Sequence, residues 1–276
     1  MNNIYIQFES KEQLPIKCDL LLNNSGDKKP LVILLHGFKS FRNWGFNPWI
    51  SDKLNKKSFN VLNFDFSRNG ISDQQKMIYD VELFRKNTVG IELDDIDIIL
   101  NSLNSIEQLT SKWNGDVYLI GHSMGGAISA ITAQKFPIIK KISLWGAISK
   151  WNRNSSRQKQ EWKEKGYMEF KENSTGQTIF LDYSYLQYKE QNTDKIDIRN
   201  SIKNIDIPIQ IVHGEQDFTV PAKEGEILYS LALNPKSEIK LIPKTGHTFG
   251  VRHPMIEANP ALETAINSTI DFFNRD

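Results

Sequence analysis

The stretch Gly121-His122-Ser123-Met124-Gly125-Gly126 follows the apolar run Val117-Tyr118-Leu119-Ile120 and precedes residues 127–133, which suit a helix. A Gly-x-Ser-x-Gly motif between a strand and a helix is typical of a nucleophile elbow, a sharp turn that holds a serine in a strained backbone conformation. The flanking glycines leave room for neighbouring segments to pack closely. The motif is short, so the interpretation depends on the strand before it and the helix after it. We interpret Ser123 as an exposed nucleophile.

Short apolar runs alternate with helical patterns through most of the 276-residue chain. Runs that end in Gly, Asp or Pro are typical of buried parallel strands. They cover residues 31–35, 61–64, 117–120, 142–145, 207–212 and 239–242. Two alternating stretches, Ile4 to Phe8 and Ile16 to Leu22, predict an antiparallel hairpin at a sheet edge. The clearest helical pattern runs from Val89 to Leu109. The sequence therefore predicts an α/β fold with a mostly parallel eight-stranded sheet and helices on both faces.

Residues 149–202 interrupt this alternation with a polar and aromatic segment. The segment follows one predicted strand and precedes the next, so we interpret it as a cap inserted into a core domain of residues 1–148 and 203–276. Two of its aromatic side chains, Trp151 and Tyr183, are candidate substrate contacts. The alternatives are that the aromatic residues form the cap's own core, or that the segment is a surface excursion that contacts no substrate.

A serine hydroxyl becomes a strong nucleophile only when a base takes its proton, and a carboxylate orients that base. Asp217 follows the predicted strand 207–212, and His247 follows the predicted strand 239–242. Parallel strands place both positions at the same sheet edge as Ser123. The chain order Ser, Asp, His is also the order used by this strand-and-loop arrangement. Ser123, Asp217 and His247 are therefore the predicted catalytic triad.

Other residues compete for two of these roles. Glu215 is an alternative carboxylate, although it lies in the turn immediately after the strand. His253 is an alternative base, although it precedes Pro254 and is expected to shape a loop. The remaining histidines flank predicted strand ends and are expected to pack or form hydrogen bonds locally; they are His36, His122 and His213.

Attack on an acyl carbon creates an oxyanion, which backbone N–H groups can stabilise. The amide of Met124 follows the nucleophile at a helix start. The amide of Phe38 follows His36-Gly37 at the end of the predicted strand 31–35. Both amides are predicted donors of an oxyanion hole. The alternative interpretation of His36-Gly37 is an ordinary turn at the end of a strand.

Several motifs together resemble the α/β-hydrolase superfamily across nearly the whole chain outside the cap. They are His36-Gly37-Phe38, Asp65 to Ser72, Gly121 to Gly126, His213 to Pro221 and Gly246-His247. The segment from Lys39 to Phe46 makes the chain most similar to bacterial cinnamoyl and feruloyl esterases and to serine aminopeptidase-like hydrolases. One departure is Arg68, which stands at the first glycine of the family's Asp-x-x-Gly-x-Gly-x-Ser turn. Arg68 is therefore a candidate cation for substrate binding.

The resemblance implies Ser123 as nucleophile, His247 as base and Asp217 as its orienting carboxylate, with the Phe38 and Met124 amides as oxyanion hole. We expect a serine carboxylic ester hydrolase that acts through an acyl-enzyme on small to medium acyl or aryl esters. One alternative is an aminopeptidase-like amide hydrolase, and another is a non-catalytic ligand-binding protein, because fold alone does not name function. An amide hydrolase would bind the substrate amine with carboxylates of the cap, for which the candidates are Glu161, Glu164, Glu169 and Glu172.

Composition adds expectations about partners. With 34 Lys and Arg against 33 Asp and Glu, the net charge of +1 gives no reason to expect nucleic acid or an anionic membrane. The single cysteine, Cys18, is interpreted as a buried strand residue, and no Cys and His spacing resembles a zinc site. The N-terminus lacks the pattern of a secretion signal, and no apolar run approaches membrane-spanning length. We therefore expect a cytoplasmic monomer or homodimer that acts on a small-molecule ester with no cofactor or metal.

Overall fold

The computed structural model describes residues 3–172 and 175–275. In chain order, its strands are β1 (Asn3–Glu9), β2 (Pro15–Leu21), β3 (Lys29–Leu35), β4 (Asn60–Phe64), β5 (Ile71–Asp73), β6 (Ile78–Tyr79), β7 (Trp113–His122), β8 (Ile139–Trp145), β9 (Tyr167–Lys171), β10 (Thr178–Asp182), β11 (Ile209–Gly214) and β12 (Glu238–Ile242). Its α-helices are α1 (Asn47–Lys56), α2 (Val81–Arg85), α3 (Val89–Ser102), α4 (Glu107–Thr110), α5 (Met124–Lys135), α6 (Ser156–Lys165), α7 (Tyr183–Gln191), α8 (Ile198–Asn204), α9 (Ala222–Leu231) and α10 (Pro260–Asn274).

Eight of the strands form one sheet in the order β1-β2-β4-β3-β7-β8-β11-β12. β1 pairs antiparallel with β2, and β2 pairs antiparallel with β4, whereas the other neighbouring pairs are parallel. The predicted fold class is confirmed, including the antiparallel hairpin at the sheet edge. Because the carboxyl ends of parallel strands lie along one edge, the loops after β3, β7, β11 and β12 meet there.

Alternate residues of the central strands pack into different clusters on opposite faces of the sheet. Ile33 and Leu119 belong to the cluster that includes apolar residues of α3 and α5. Val32 and Ile120 belong to the cluster that includes apolar residues of α1 and α10. Since helices cover both faces, both sets of side chains are buried. This explains why the central strands appear in the sequence as continuous apolar runs rather than as alternating ones.

The helical pattern predicted from Val89 to Leu109 is divided in the structure. α3 ends at Ser102, a 3-10 turn covers Leu103–Ser105, and α4 begins at Glu107. The Ser105 hydroxyl donates a hydrogen bond to the Ser102 carbonyl oxygen at 2.7 Å. Ser and Asn side chains compete with the helical backbone for hydrogen bonds in this way. The prediction of one continuous helix was therefore wrong at this point.

The segment 149–202 leaves the main sheet after β8 and returns before β11. Within it, β9 and β10 form a separate antiparallel hairpin. Trp162 of α6 is buried, donates its Nε1–H to the Leu181 carbonyl oxygen at 3.0 Å and stacks on Tyr185 with ring centroids 6.1 Å apart. α8, by contrast, packs against α5 and α9. The last helix of the segment therefore joins the helical layer that covers the main sheet.

Two further expectations concern single features of the chain. Cys18 is fully buried in β2, as its strand context predicted, and burial raises the pKa of its thiol well above the ordinary value. None of the helices described between residues 3 and 275 combines the length and the apolar character that a membrane crossing requires.

Candidate active site

Ser123 occupies the turn between β7 and α5 with φ 56° and ψ −116°. A residue other than glycine rarely adopts a positive φ, so this backbone conformation is strained. The turn packs tightly, because a Cβ atom added to Gly125 would lie 2.2 Å from the Leu35 carbonyl oxygen. The Ser123 amide also donates a hydrogen bond to the Trp145 carbonyl oxygen at 2.8 Å. Contacts to β3 and β8 on either side thus fix the position of the serine.

His247 and Asp217 form a close pair between the loops after β12 and β11. The distance between His247 Nδ1 and Asp217 Oδ2 is 2.7 Å, and the Asp217 side chain is fully buried. Because a carboxylate only accepts hydrogen bonds, the proton of the neutral imidazole lies on Nδ1. Nε2 of His247 is then left with a free lone pair, which is the form that a general base requires.

The second oxygen of Asp217 is held by the backbone of its own loop. Oδ1 accepts hydrogen bonds from the Thr219 and Val220 amides at 2.9 and 2.8 Å, and His213 Nε2 lies 3.4 Å from Oδ2. Burial acts to raise the pKa of the Asp217 carboxyl, but hydrogen bonds from His213, His247 and Val220 and the charge of His247 outweigh it. The pKa of Asp217 lies well below its ordinary value, so the group is ionised at neutral pH.

The competing residues have other environments in the structure. Glu215 is exposed to solvent, whereas Asp217 is buried against His247. His253 accepts a hydrogen bond from the Gly45 amide at Nδ1 and contacts the Gln74 carbonyl oxygen with Nε2 at 2.8 Å. Both ring nitrogens of His253 are therefore engaged by backbone groups, those of Gly45 and Gln74. Neither residue takes part in the pair formed by His247 and Asp217.

The three remaining histidines, at the ends of strands, contact backbone carbonyl oxygens. His36 contacts the Gly37 carbonyl oxygen at 2.9 Å, and His213 contacts the Val220 carbonyl oxygen at 2.8 Å. His122 Nε2 lies 3.0 Å from the carbonyl oxygen of His247. Two of these rings therefore support the loops that carry Asp217 and His247.

The two amides predicted to form an oxyanion hole lie beside the elbow. Met124 is the first residue of α5, and N–H groups in the first turn of a helix have no partner within that helix. The loop that carries Phe38 passes close to the serine, since a Cβ atom added to Gly37 would lie 3.1 Å from Ser123 Cβ. Both residues line the cavity that contains Ser123. Their role as oxyanion donors stays a prediction.

Ser123 and His247 line two neighbouring cavities of 420 and 210 Å³. The larger cavity extends from the serine beneath the segment 149–202, and its walls are mostly apolar and aromatic, with Ile148, Trp162, Met168, Phe170, Leu181 and Tyr185 among them. The smaller cavity is more polar and is lined by Ser40, Trp44, Met77 and Thr248, among others. Ser123 therefore lies between a larger, mostly apolar cavity and a smaller, more polar one.

Comparison with sequence models of protein families identifies the family of the chain. The sequence model of a family described as the alpha/beta hydrolase fold matches residues 30–196, which is more than half of the chain. The chain belongs to the alpha/beta hydrolase fold family. A second model, described as the dienelactone hydrolase family, matches residues 186–276 of this α/β hydrolase. No curated protein sequence matches the chain significantly.

Solved structures of similar fold cover nearly the whole chain. Est1E from Butyrivibrio proteoclasticus, solved with ferulic acid bound, is 19% identical, with 97% of each chain covered and a TM-score of 0.73. The alpha/beta hydrolase domain-containing protein 10 from mouse is 17% identical, with 98% of each chain covered and a TM-score of 0.74. A dienelactone hydrolase from Anabaena variabilis is 14% identical, with 99% of this chain and 96% of that chain covered and a TM-score of 0.64. At these identities the likeness shows the shared fold alone.

The charged side chains that line the larger cavity of this α/β hydrolase are cations. They are Lys39, Arg153 and Lys189, and no aspartate or glutamate lies among the lining residues of the described chain. Lys39 forms an ion pair with Glu172 at 3.0 Å, and Arg153 lies 3.5 Å from Glu224. The ammonium of Lys189 lies 4.7 Å from the centroid of the Tyr185 ring. The walls of the cavity are therefore apolar, and of its three cations only Lys189 has no ion pair among the described residues.

The three residues predicted to contact substrate have different environments in the structure. Trp151 lines the larger cavity, and its Nε1–H donates to the Ile196 carbonyl oxygen at 2.7 Å. Arg68 lines neither cavity, because its guanidinium is bound to the Glu12 carboxylate and to the Leu83 carbonyl oxygen. Tyr183 also lines neither cavity and packs against the main hydrophobic core. Of the three, only Trp151 is placed where it can contact a substrate held at Ser123.

The acidic residues proposed to hold a substrate amine are also dispersed. Glu161 and Glu169 line a separate surface pocket, and Glu164 accepts a hydrogen bond from Gln160 at the surface. Glu172 reaches the smaller cavity but is paired with Lys39. Across residues 3–172 and 175–275, no group of three or more His, Cys, Asp or Glu side chains is arranged to hold a metal ion.

Sequence reasoning missed Lys189 and Tyr185 as residues that line the cavity. They lie four residues apart on α7, a spacing that places side chains on one face of a helix. This spacing was visible in the sequence. The side of the helix that faces Ser123 was not, because it depends on how the inserted segment packs on the sheet.

Proposed function

We propose that this α/β hydrolase is a serine carboxylic ester hydrolase that acts through an acyl-enzyme. The observation that carries the proposal is the 2.7 Å contact between His247 Nδ1 and the buried Asp217 carboxylate, beside a cavity shared with the strained Ser123. A buried carboxylate that fixes the tautomer of a histidine near a partly exposed serine is the arrangement that activates a serine nucleophile. The proposal calls for no cofactor.

The first half of the reaction forms the acyl-enzyme. Ser123 Oγ attacks the acyl carbon of the ester while His247 Nε2 takes the hydroxyl proton. Asp217 stabilises the imidazolium that results, and the Phe38 and Met124 amides stabilise the oxyanion. As the tetrahedral intermediate collapses, the ester bond breaks, and His247 returns the proton to the departing alcohol oxygen.

The second half releases the acid. A water molecule gives a proton to His247 and attacks the acyl carbon, and the bond to Ser123 Oγ breaks as the serine regains the proton. We assign the acyl group to the larger cavity, because Phe38 and Met124 both line it and their amides must lie beside the acyl carbon. The apolar walls of that cavity favour small to medium alkyl or aryl acyl groups.

Amide hydrolysis by the same three residues is the alternative, and the charge distribution weighs against it. A substrate amine needs a carboxylate near the serine, whereas the charged residues that line the larger cavity in the described chain are cations. Comparison of aryl esters with aminoacyl nitroanilides separates the two activities. A higher kcat/KM for the nitroanilides would favour the amide hydrolase. We keep a cytoplasmic monomer or homodimer as part of the proposal.

The test of the proposal is the kinetics of Ser123→Ala on p-nitrophenyl butyrate. We expect kcat to fall by about 10³-fold or more, because the nucleophile is lost while binding is retained. Ser230→Ala is the matched control, since Ser230 is exposed on α9, where its hydroxyl donates to the Ile227 carbonyl oxygen. Activity of Ser123→Ala at the level of this control would contradict the proposal.

A further inference from the structure

Lys189 of α7 lines the larger cavity and also a neighbouring cavity of 300 Å³. Its Nζ lies 4.7 Å from the Tyr185 ring centroid and 5.9 Å from that of Trp162. Both aromatic residues line the same cavity as Ser123. The ammonium is therefore partly buried beside two aromatic rings that line the cavity of the nucleophile.

The charge of Lys189 is not balanced by a carboxylate of the chain. The other cations of the cavity lie near carboxylates, Lys39 near Glu172 and Arg153 near Glu224. The acidic residue next to Lys189 in sequence, Glu190, is engaged by Lys159 at 3.1 Å. Within the described ranges 3–172 and 175–275, no carboxylate lies within ion-pair distance of the Lys189 ammonium. The faces of Tyr185 and Trp162 stabilise it only in part.

Burial makes this unbalanced charge costly. It is the main reason why the pKa of Lys189 falls to about 8, and the charge of Lys159 lowers it further, while that of Glu190 opposes the change. Lys189 is still mostly protonated at neutral pH. A partly buried cation with no counter-ion is stabilised when an anion enters its cavity.

We propose that Lys189 binds a carboxylate at the far end of the substrate's acyl chain. The inference rests on the proposed ester hydrolase and adds the substrate class, which is the half-ester of a dicarboxylic acid with an apolar spacer. The ester carbonyl lies at Ser123, the spacer contacts the walls formed by Phe170 and Leu181, and the free carboxylate forms an ion pair with Lys189. Lys189 is a specificity residue and takes no part in bond making or breaking.

The test compares charged and neutral esters of matched length. Mono-p-nitrophenyl esters of succinate, glutarate, adipate and pimelate are compared with the corresponding esters whose free carboxylate is capped as a methyl ester. We expect kcat/KM for the charged ester to exceed that for its neutral partner by about tenfold at the best spacer length, as one charge-assisted contact provides. The preference should disappear in Lys189→Met, which keeps an unbranched side chain of similar length, and should remain in part in Lys189→Arg.

Lys163→Met is the matched control for the loss of one positive charge. Lys163 is exposed on α6 and lines neither cavity that contains Ser123, so its substitution should leave the preference unchanged. Lys189→Met should lose about tenfold more kcat/KM on the charged ester than on its neutral partner. An equal loss on charged and neutral esters would instead indicate a merely structural role for Lys189 and would overturn the inference.

A binding measurement separates the two proposals. On Ser123→Ala protein, calorimetry should show that 4-phenylbutyrate binds about tenfold more tightly than 4-phenylbutanol, and Lys189→Met should remove the difference. Hydrolysis of neutral esters without any Lys189-dependent preference for charged ones would overturn the inference and leave the proposed function standing. If the wild-type protein hydrolysed none of the esters, the proposed function would fall, and this substrate assignment with it.

Discussion

His122, the residue that precedes the serine of the elbow, is hydrogen-bonded to the backbone of the histidine on the other side of the site. His122 Nε2 lies 3.0 Å from the carbonyl oxygen of His247, and the two rings are 4.8 Å apart between centroids. A carbonyl oxygen only accepts, so the Nε2 of His122 carries the proton. Burial first, and then the charge of His247, lowers the pKa of His122 to about 3. His122 is therefore a neutral donor that positions the His247 loop.

Removal of this donor should lower turnover without weakening binding. His122→Phe keeps an aromatic ring against Phe46, whose centroid is 5.3 Å away, but cannot donate to the His247 carbonyl oxygen. We expect kcat to fall about five- to tenfold, the effect of one lost hydrogen bond, with KM unchanged. His122→Gln should restore much of the loss, because its amide can donate from a similar position. Equal losses in His122→Phe and His122→Gln would contradict a positioning role.

The two carboxylates after β11 should differ sharply in importance. Asp217→Asn removes the acceptor that fixes the His247 tautomer, and we expect kcat to fall by about 10³- to 10⁴-fold. Glu215→Gln is the matched control, since Glu215 is exposed two residues earlier in the same loop and should change kcat little. Steady-state kinetics on p-nitrophenyl butyrate measures both variants. The reverse order of effects would assign the carboxylate role to Glu215.

Trp151 separates the larger catalytic cavity from a second cavity of 300 Å³, because it lines both of them. Trp151→Ala should open this wall and extend the space available to an acyl chain. We expect the ratio of kcat/KM for p-nitrophenyl decanoate to that for the butyrate to rise by about fivefold, as several methylene groups gain apolar contacts. Tyr183→Leu, at an aromatic residue of α7 that lines neither cavity at Ser123, should leave the ratio unchanged. A constant ratio in Trp151→Ala would show that Trp151 does not limit acyl length.

Glu92 should make the stability of the fold depend on pH. Its side chain is buried, Oε1 accepts from Asn87 Nδ2 at 2.7 Å, and Oε2 and Asn87 Oδ1 have no partner in the described chain. Burial, and secondarily the charge of Asp95, raises the pKa of Glu92 from 4.5 to about 8, although the Asn87 hydrogen bond opposes the change. The folded state therefore holds the proton more tightly than the unfolded state. This contribution to stability is fully present below pH 4.5 and is lost as the pH rises towards 8.

Glu92→Gln should remove this pH dependence. The glutamine amide can form the paired contact with Asn87 without a titrating proton. The free energy of unfolding of the variant, relative to that of the wild type, should therefore increase by about 2–4 kcal/mol as the pH rises from 5 to 9. Urea denaturation at several pH values measures the difference. Glu257→Gln, at an exposed carboxyl, controls for the change in charge. Parallel pH profiles for wild type and Glu92→Gln would contradict the raised pKa.

Much of the fold and of the candidate site was predictable because both depend on local signals. Buried parallel strands appear as apolar runs, and the turn residues after them mark the carboxyl edge of the sheet. There Ser123 and His247 line one cavity, and Asp217 contacts His247. The position of Arg68 was harder to predict, because it depends on Glu12, which is distant in sequence. The position of Tyr183 depends on how α7, in the segment 149–202, packs against the core. The break at Ser102 was missed because side-chain hydrogen bonds compete with an otherwise regular apolar spacing.

The central claim is that Ser123 is a nucleophile activated by His247, and covalent labelling tests it most directly. Intact protein treated with a fluorophosphonate is digested, and the modified peptide is identified by mass spectrometry. The account predicts one adduct, on Ser123, that is absent in Ser123→Ala and forms far more slowly in His247→Ala. An adduct on another residue, or no adduct on folded protein, would contradict it.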